Sequence, residues 1–372
     1  MVDSQENISE TKIVRWLLDT RPLWPVTAKV RTKEEVQELK NVASRALNLL
    51  PESEQASILR YHHIKDAKMS LASHLLKHLV ITKYLPVPWL ETTISRKRYG
   101  KPYFLHEYQN KFIDFNVSHQ AGIVVLIAAI SHRSGISVGT DIVCTHERRD
   151  TDHAHVDKEG FFDWLAMYED VFAESEIDYI RQGSLSLEEI GLDIQGAALT
   201  TPAKNILSTC ERRDQKINLT ILVDGKISKV QVDSNVIIDA KIRKFYASWC
   251  LRETFIKMIG EAFTASWLKD LEIQHVKSPT AVQKAKGLEE GEVIKGFKIY
   301  LKKKTDSKNT IVKNVMIDIT SLGSSYMVAG AISAPEDLQI SENHMGKWYI
   351  LDLYTDIIEI AESSLGSHTL VK

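Results

Sequence analysis

A repeating pattern of apolar residues along 241–260 predicts a packed helix. The apolar positions recur at the three- and four-residue spacings of one helical face, and Gly260 supplies a stop signal. These positions are Ile242, Phe245, Trp249, Ile256 and Ile259. Glu253 and Lys257 are four residues apart, so they lie on the same side of this helix. On spacing alone they form an exposed ion pair that contributes a few tenths of a kcal/mol.

Two further apolar patterns predict a long helix and a pair of buried strands. Amphipathic spacing over 56–85 predicts the helix, and Pro86 prevents its continuation. Ile123–Ile130 is a continuous apolar run of the kind that is buried on both faces of a sheet. After a turn, residues 136–143 are predicted to form a second buried strand, which contains Asp141. A buried aspartate is costly unless it meets a cation or hydrogen-bond donors, so metal coordination and backbone hydrogen bonding both stay open.

The later part of the chain predicts more strands and one insertion. Val312–Ile319, Tyr326–Ile332 and Trp348–Leu353 are predicted as strands of a final sheet. Residues 184–240 resemble neither neighbouring stretch. Within them, 217–233 predicts a β-hairpin about an Asp-Gly turn. We therefore interpret 184–240 as an insertion.

The composition is typical of a soluble globular chain. It has 372 residues, of which 44% are hydrophobic and 26% charged, enough for one large domain or two moderate ones. The net charge of −2 provides no overall basic field, which argues against nucleic-acid or membrane binding. Ile123–Ile130 is far shorter than the roughly 20 apolar residues that span a bilayer. Three widely spaced cysteines and a polar, acidic N-terminus predict a reduced, cytoplasmic protein.

Two short polar segments are typical of phosphate binding. In the first, which we call the basic segment, four cations surround a glycine in a turn: Arg96, Lys97, Arg98 and Lys101. In the second, Ser118 and His119 lie at the mouth of the buried strand, where a hydroxyl, an imidazole and backbone N–H groups can hold a phosphate. A solvated loop and a turn with local hydrogen bonds are the respective alternatives.

Two other polar stretches carry weaker signals. Residues 144–160 contain His146, His153 and His155, but no further His or Cys completes a zinc site, so a mobile loop is predicted. Glu176 opens a helical pattern, where an acid in the first turn is common without any catalytic role. Neither stretch identifies a function by itself.

Five motifs in one order carry a family resemblance: GKPYF, FNVSHQ, VGTDIV, VFAESEIDYI and FYASWCLRETFIK. This set resembles the 4′-phosphopantetheinyl transferase superfamily, and within it the large, surfactin-synthetase-activating type and its broad-range fungal and animal members. The most specific signatures are G-x-D at 139–141 and W-x-x-[KR]-E-x-x-x-K at 249–257. The resemblance covers residues 55–183 and 241–270 well and the rest weakly.

The resemblance implies an α+β fold made of two similar α/β half-domains, a pseudo-dimer in one chain. The halves are expected at 1–135 and 136–372, with the insertion at about 184–240. The implied reaction transfers the 4′-phosphopantetheine arm of coenzyme A, bound between the halves, to a serine of an apo carrier protein. It depends on Mg²⁺ and releases adenosine 3′,5′-bisphosphate.

The resemblance also implies roles for residues in catalysis. Asp141 and Glu253 match the magnesium carboxylates, and Lys257 matches the lysine that contacts the pyrophosphate. Glu176 matches a glutamate near the metal, acting as a ligand through water or as a base. Magnesium commonly uses only one or two protein carboxylates together with phosphate oxygens and waters, so this donor set is sufficient.

Coenzyme-binding residues are implied in the same way. Ser118 and His119 match residues at the 3′-phosphate of the coenzyme, with Lys65 as a further candidate for the same phosphate. The basic segment falls where phosphate and adenine contacts are expected. These assignments predict that the coenzyme's anionic groups meet local clusters of positive charge rather than a basic surface.

One departure from the family pattern concerns the acid two residues after Asp141. Many relatives have D-x-E, whereas this chain has Val143 at the third position. A water is expected to take that coordination place, and the base for the serine stays open between Glu253 and a metal-held water. An alternative reading is a protein that binds coenzyme A or carriers without turnover, although the presence of Glu253 and Lys257 argues against it. Another Mg²⁺-dependent phosphoryl-transfer enzyme is a third reading.

The expected partners follow from the same resemblance. They are apo carrier domains of fatty-acid, polyketide and non-ribosomal peptide synthases and, in fungi, aminoadipate reductase. A monomer is expected, with no nucleic acid and no membrane as partner. Which carriers are served does not follow from the sequence.

Overall fold

The structure is a computed structural model that describes residues 11–26, 32–105, 111–262, 265–282, 287–302, 309–338 and 345–369. The helices in these ranges are α1 (Thr32–Val42), α2 (Ser44–Leu47), α3 (Glu52–Ile58), α4 (Ile64–Tyr84), α5 (Arg149–Glu159), α6 (Phe161–Ala166), α7 (Glu174–Gln182), α8 (Thr201–Thr209), α9 (Ser234–Ile259) and α10 (Glu359–Thr369). The strands are β1 (Lys12–Asp19), β2 (Ile94–Arg96), β3 (Pro102–Phe104), β4 (Phe112–Gln120), β5 (Ile123–Ser131), β6 (Ser137–Cys144), β7 (Ala197–Leu199), β8 (Lys216–Val223), β9 (Lys226–Asp233), β10 (Leu271–Ile273), β11 (Glu290–Ile294), β12 (Ile299–Lys302), β13 (Asn309–Ile311), β14 (Val315–Leu322), β15 (Tyr326–Ser333) and β16 (Tyr349–Ile350).

The N-terminal half is built on a four-stranded sheet with the order β16-β1-β5-β4. β1 pairs antiparallel with β5, and β5 forms a hairpin with β4. Helix α4 packs on β5 and β4. Its residues Leu71, Leu75 and Leu79 are fully buried, and their four-residue spacing places them on one helical face. The apolar stripe predicted for 56–85 therefore covers this sheet, although the chain forms two helices, α3 and α4, in that range.

The C-terminal half is built on a second four-stranded sheet with the order β11-β14-β15-β6. β6 pairs antiparallel with β15, and β15 forms a hairpin with β14. Helix α9 packs across β6 and β15. Each half thus has a first strand, a long helix and then a hairpin whose second strand pairs with the first strand. The α+β fold class is confirmed, and this shared order of elements is what two similar half-domains require.

The C-terminal segment does not belong to the half in which it was predicted. β16 pairs in parallel with β1 of the N-terminal sheet. Leu351, Leu353 and Ile357 are buried in the same core as α4 and β1. We therefore correct the predicted boundary of 136–372, because Leu351, Leu353 and Ile357 are buried in the core of the N-terminal half. Of the predicted strand at 348–353, only Tyr349–Ile350 is extended, and it does not join the final sheet.

The predicted hairpin inside the insertion is confirmed. β8 and β9 pair antiparallel, with Val223 opposite Lys226 across an Asp-Gly turn. Together with β7 they form a separate three-stranded sheet, and α8 packs on β8. Helix α9 begins at Ser234, earlier than the predicted start at 241, because the Asp233 side chain caps it by accepting from the Asn235 N–H.

The two halves meet along β4 and β6, which are edge strands of their respective sheets. Side chains of β4 accept hydrogen bonds from backbone N–H groups of β6, and the three pairs are Asp114 with Val138 at 2.8 Å, Asn116 with Thr140 at 3.1 Å and Gln120 with Cys144 at 2.9 Å. These side chains occupy the place of a backbone ladder. We call this region the β4–β6 seam. Within the described ranges, no helix is both long and apolar enough to cross a membrane.

Candidate active site

Three charged side chains meet beside the β4–β6 seam. Lys257 Nζ lies 2.6 Å from Asp141 Oδ1 and 3.1 Å from Glu253 Oε2. Ser118 Oγ donates to the same Asp141 oxygen at 2.7 Å and accepts from Lys257 Nζ at 3.1 Å. The strand acid and the helix acid, although distant in sequence, therefore converge on one ammonium group.

Gly139 explains how the helix comes so close to the strand. A Cβ atom at this position would lie 2.3 Å from the backbone oxygen of Thr254 and 2.4 Å from the backbone nitrogen of Met258, both in α9. Any side chain at 139 would therefore push α9 away from β6. The glycine of the G-x-D motif permits the contact that brings Glu253 and Lys257 to Asp141.

The electrostatics of the cluster favour a charged lysine. Burial alone would lower the pKa of Lys257, but the carboxylates of Asp141 and Glu253 raise it above its ordinary value. Burial raises the pKa of Glu253; the ammonium of Lys257 opposes this shift, and the neighbouring charge of Asp141 adds to it. A hydrogen bond from Trp249 also stabilises the Glu253 carboxylate. A cation placed between the two acids thus relieves their mutual repulsion.

Two cavities adjoin the cluster, each of about 360 Å³. The nucleotide cavity, as we name it, is lined mainly by the N-terminal half: Ser73, Lys77, Arg96, Tyr99, Asn116 and His119. The carboxylate cavity is lined by Asp141, Glu253, Gln120, Arg148, Tyr246 and Trp249. His119 and Lys257 line both, so the two cavities meet at these residues. An elongated anionic ligand can therefore extend from one half to the other past Lys257.

The coenzyme-binding residues predicted from sequence separate into two groups. Arg96 and His119 line the nucleotide cavity, and Arg96 Nη1 donates to the Gly100 oxygen at 3.0 Å. Ser118 donates to Asp141, so it lies at the carboxylate cluster and not at a separate binding position for the 3′-phosphate. Lys97 forms the turn through its backbone, and the Arg98 guanidinium lies over the Tyr99 ring at 5.2 Å. The prediction for Lys97 and Arg98 gains no support from this arrangement.

Lys101 has a structural environment that corrects its predicted role. Its ammonium is buried and donates to Asp114 Oδ2 at 2.7 Å, to the Val138 oxygen at 2.9 Å and to the Met258 oxygen at 3.0 Å. All three N–H groups are therefore used within the protein. Because Asp114 belongs to β4, Val138 to β6 and Met258 to α9, Lys101 joins the two halves and has no donor left for a phosphate.

Lys65 also differs from its predicted role. Its Nζ lies 3.4 Å from Glu147 Oε1, and its side chain is more than half exposed. It is not among the residues that line either cavity. The structure therefore places Lys65 in an exposed ion pair outside the two cavities, which corrects its assignment to the 3′-phosphate.

Glu176 lies on another side of α9. Its carboxylate is buried, pairs with Arg252, and accepts from the backbone N–H groups of Ile273 at 3.0 Å and Ala173 at 2.9 Å. Burial raises the pKa of Glu176, and the Arg252 charge opposes this shift. This environment corrects the predicted role near the metal, because the carboxylate already anchors α7 to α9 and β10.

Sequence reasoning missed some residues of the two cavities. Lys77 is the clearest case, because it lines the nucleotide cavity and is almost fully buried. The available signal was a lysine inside the apolar run LLKHLV, where a charge is costly. Gln120 and Arg148 of the carboxylate cavity gave no such signal, because polar residues at a strand end and in a loop are common.

Comparison with known proteins finds relatives over most of the chain. Residues 37–131 match the family described as 4′-phosphopantetheinyl transferase, N-terminal. The chain is 37% identical over 341 residues to a 4′-phosphopantetheinyl transferase of Aureobasidium melanogenum, covering 87% of this chain and 91% of that protein. It is 33% identical over 345 residues to 4′-phosphopantetheinyl transferase 1 of Fusarium mangiferae, covering 93% and 94%.

A shorter match extends to a relative with a more specific name. The L-aminoadipate-semialdehyde dehydrogenase-phosphopantetheinyl transferase of Schizosaccharomyces pombe is 37% identical over 138 residues, which are 36% of this chain and 48% of that protein. The two longer matches each exceed 30% identity over most of both chains. The chain therefore belongs to the 4′-phosphopantetheinyl transferase family.

Proposed function

We propose that this enzyme transfers the 4′-phosphopantetheine arm of coenzyme A to a serine hydroxyl of apo carrier proteins, with Asp141, Glu253 and Lys257 at the reacting pyrophosphate. One observation carries the proposal: two acids and a lysine from separate elements converge beside two joined cavities. The nucleotide cavity suits the adenosine end of the coenzyme because Arg96 and His119 line it. The carboxylate cavity then receives the pantetheine arm and the incoming serine.

The donor set fits a magnesium ion. No cluster of three or more His, Cys, Asp or Glu side chains suited to a metal occurs in the described part of the chain. The carboxylates of Asp141 and Glu253 both contact the Lys257 ammonium, at 2.6 and 3.1 Å, and so lie close to each other. Mg²⁺ commonly binds one or two protein carboxylates with phosphate oxygens and waters. When bound, Mg²⁺ neutralises charge on the pyrophosphate as a Lewis acid. We propose that these two residues hold it.

The reaction exchanges one phosphorus–oxygen bond for another. The serine oxygen forms a bond to the phosphorus that carries the pantetheine arm, and the bond to the adenosine 5′-phosphate oxygen breaks. The electron pair leaves with adenosine 3′,5′-bisphosphate, and Lys257 stabilises the charge that develops there. The serine proton passes to a base at the cluster, for which the Glu253 carboxylate and a water are the two candidates. Ser118 holds Asp141 in place through its hydroxyl.

The remaining expectations are proposals of the same kind. The relative from Schizosaccharomyces pombe is named for L-aminoadipate-semialdehyde dehydrogenase, which makes the carrier domain of that enzyme a specific substrate to test here. Carrier domains of fatty-acid, polyketide and non-ribosomal peptide synthases are the other class. We propose that the enzyme acts as a monomer in the cytoplasm.

Mass spectrometry of an apo carrier domain incubated with coenzyme A and Mg²⁺ tests the proposal directly. The expected result is a gain equal to one phosphopantetheine arm on one serine, with equimolar release of adenosine 3′,5′-bisphosphate. A serine-to-alanine carrier variant is the matched control and gains no mass. Tight binding of coenzyme A or carrier without either product would instead support the binding protein without turnover.

A further inference from the structure

Lys77 is a buried cation in the N-terminal half that the catalytic chemistry does not use. It lies on α4, is 3% exposed, and lines the nucleotide cavity together with Ser73, one helical turn earlier. Its neighbours in sequence, Leu75, Leu76 and Leu79, are fully buried. A lysine in such surroundings is expected only where a partner offsets the cost of burying its charge.

Within the described ranges, the chain itself provides no adequate partner. The polar atom near Lys77 Nζ is His74 Nδ1, at the long distance of 3.4 Å. The same nitrogen lies 2.8 Å from Glu54 Oε2, and His78 Nε2 lies 3.0 Å from that oxygen. When His74 donates from this nitrogen to Glu54, it cannot accept from Lys77. Glu54 is thus shared by two histidines, and the Lys77 ammonium has no carboxylate bonded to it.

Lys101 shows how the same chain treats a buried lysine with a structural role. It is similarly enclosed, at 6% exposure, and all three of its N–H groups are bonded to a carboxylate and two backbone oxygens. Lys77 has none of these bonds although both lysines line the nucleotide cavity. The difference indicates that the partner of Lys77 is a group that enters the cavity.

The charges around the nucleotide cavity identify the kind of group. Arg96, His119 and Lys257 line it besides the two buried lysines, whereas Glu261 is the acid among its lining residues in the described part of the chain. Burial, followed by repulsion from Arg96, lowers the pKa of Lys77 to about 8. A phosphate monoester carries close to two negative charges at neutral pH, so it could pair with Lys77 and Arg96 at once.

We propose that Lys77 is a further coenzyme-binding residue, which contacts the phosphate monoester on the ribose of coenzyme A and makes the enzyme select the phosphorylated donor. This inference rests on the proposed function. Lys77 and Arg96 line the nucleotide cavity and not the carboxylate cavity. They therefore face the end of the coenzyme away from the pyrophosphate, where the 3′-phosphate is the remaining charged group.

Nucleotide binding without turnover tests this inference. Isothermal titration calorimetry gives the Kd of adenosine 3′,5′-bisphosphate and of adenosine 5′-monophosphate, which lacks the second phosphate. We expect the wild type to prefer the bisphosphate, and Lys77→Met to reduce that preference by about tenfold or more, as loss of one charged hydrogen bond predicts. Binding of the monophosphate should stay within about twofold. Lys83→Met, an exposed lysine on the same helix, is the matched control and should behave as the wild type.

The melting temperature separates a binding role from a structural one. Methionine fills a similar volume without a buried charge, so Lys77→Met should melt at or above the temperature of the wild type. A lower melting temperature together with an unchanged nucleotide preference would show that Lys77 is structural and overturn the inference. An unchanged preference in a fully folded variant also overturns it, while leaving the proposed function intact. A wild type that binds neither nucleotide would overturn both.

Discussion

Two of the regions in which charged side chains join the halves differ in what remains available to a ligand. In the first, Arg15 of β1 forms a bidentate ion pair with Asp318 of β14 at 2.9 and 2.6 Å. Arg15 also donates to the Gly346 oxygen at 3.0 Å and stacks on Trp348 at 4.2 Å. Both charged side chains are at most 2% exposed. The second region is the β4–β6 seam with its carboxylate cluster.

The two regions involve corresponding strands. The seam joins the hairpin strand β4 of the N-terminal half to the first strand β6 of the C-terminal half. The other region joins the first strand β1 of the N-terminal half to the hairpin strand β14 of the C-terminal half. Asp318 meets Arg15, whose two terminal nitrogens, Nη1 and Nη2, both donate within the protein. Asp141 meets Lys257, whose side chain is 28% exposed beside two cavities. The difference shows that a buried ion pair indicates function only where it borders open space.

The largest expected effect is the loss of the catalytic carboxylates. Asp141→Ala and Glu253→Ala should each lower kcat/KM by about a thousandfold or more, because charge at the pyrophosphate is no longer balanced. The measurement is the rate of carrier modification by mass spectrometry. Asp318→Ala provides the contrast, since it should destabilise the fold and leave the rate per folded molecule nearly unchanged. Wild-type-like turnover of either active-site variant would remove that residue from the site.

The second prediction concerns the buried ion pair between Arg15 and Asp318. Arg15→Met leaves the Asp318 carboxylate buried without its partner and should lower the free energy of unfolding by about 3–5 kcal/mol. Denaturant titration measures this change. The double variant Arg15→Met, Asp318→Leu should recover much of the loss, because neither charge is then buried alone. If Arg15→Met lowered activity with no loss of stability, the Arg15–Asp318 pair would have a functional role and not a structural one.

The third prediction concerns the residues of the nucleotide cavity. Arg96→Ala and His119→Ala should raise the KM for coenzyme A by about tenfold with a small change in kcat, because each removes one charged contact. Their KM for dephospho-coenzyme A should hardly change. Arg98→Ala is a suitable control, since its guanidinium lies over Tyr99 and outside the cavity lining. Variants that discriminate between the two coenzymes as sharply as the wild type would contradict this assignment.

The smallest expected effect is a pH dependence set by Lys77. Its pKa of about 8 means that it holds its proton below pH 8 and loses it above, so the preference for coenzyme A over dephospho-coenzyme A should fall by a few-fold between pH 7 and pH 9. The ionisable groups around the cavity and its supporting helices are Glu54, His74, Arg96, Lys101, His119, Lys257 and Glu261. The matched variant Lys77→Met should show no such decline. A decline of equal size in that variant would assign the titration to another of these groups.

The sequence alone determined much of the fold and the centre of the site. The apolar faces of α4 and α9 and the Asp-Gly hairpin are local patterns, which depend on residues a few positions apart. The two motifs that contain Asp141, Glu253 and Lys257 were identified for the same reason. Gly139 is part of one motif, but the need for it became clear only from the approach of α9 to β6.

Only the tertiary structure decided which cations and acids are available to a ligand. Lys101 and Glu176 were assigned to ligands because a charge in sequence gives no sign of its distant partner, and their partners Met258 and Arg252 lie 157 and 76 positions away. The pairing of β16 with the N-terminal sheet was missed for the same reason, because its partner strand β1 is distant in sequence. Local pattern fixes what a segment can become, whereas burial and pairing depend on which remote surface meets it, and that is determined when the whole chain packs.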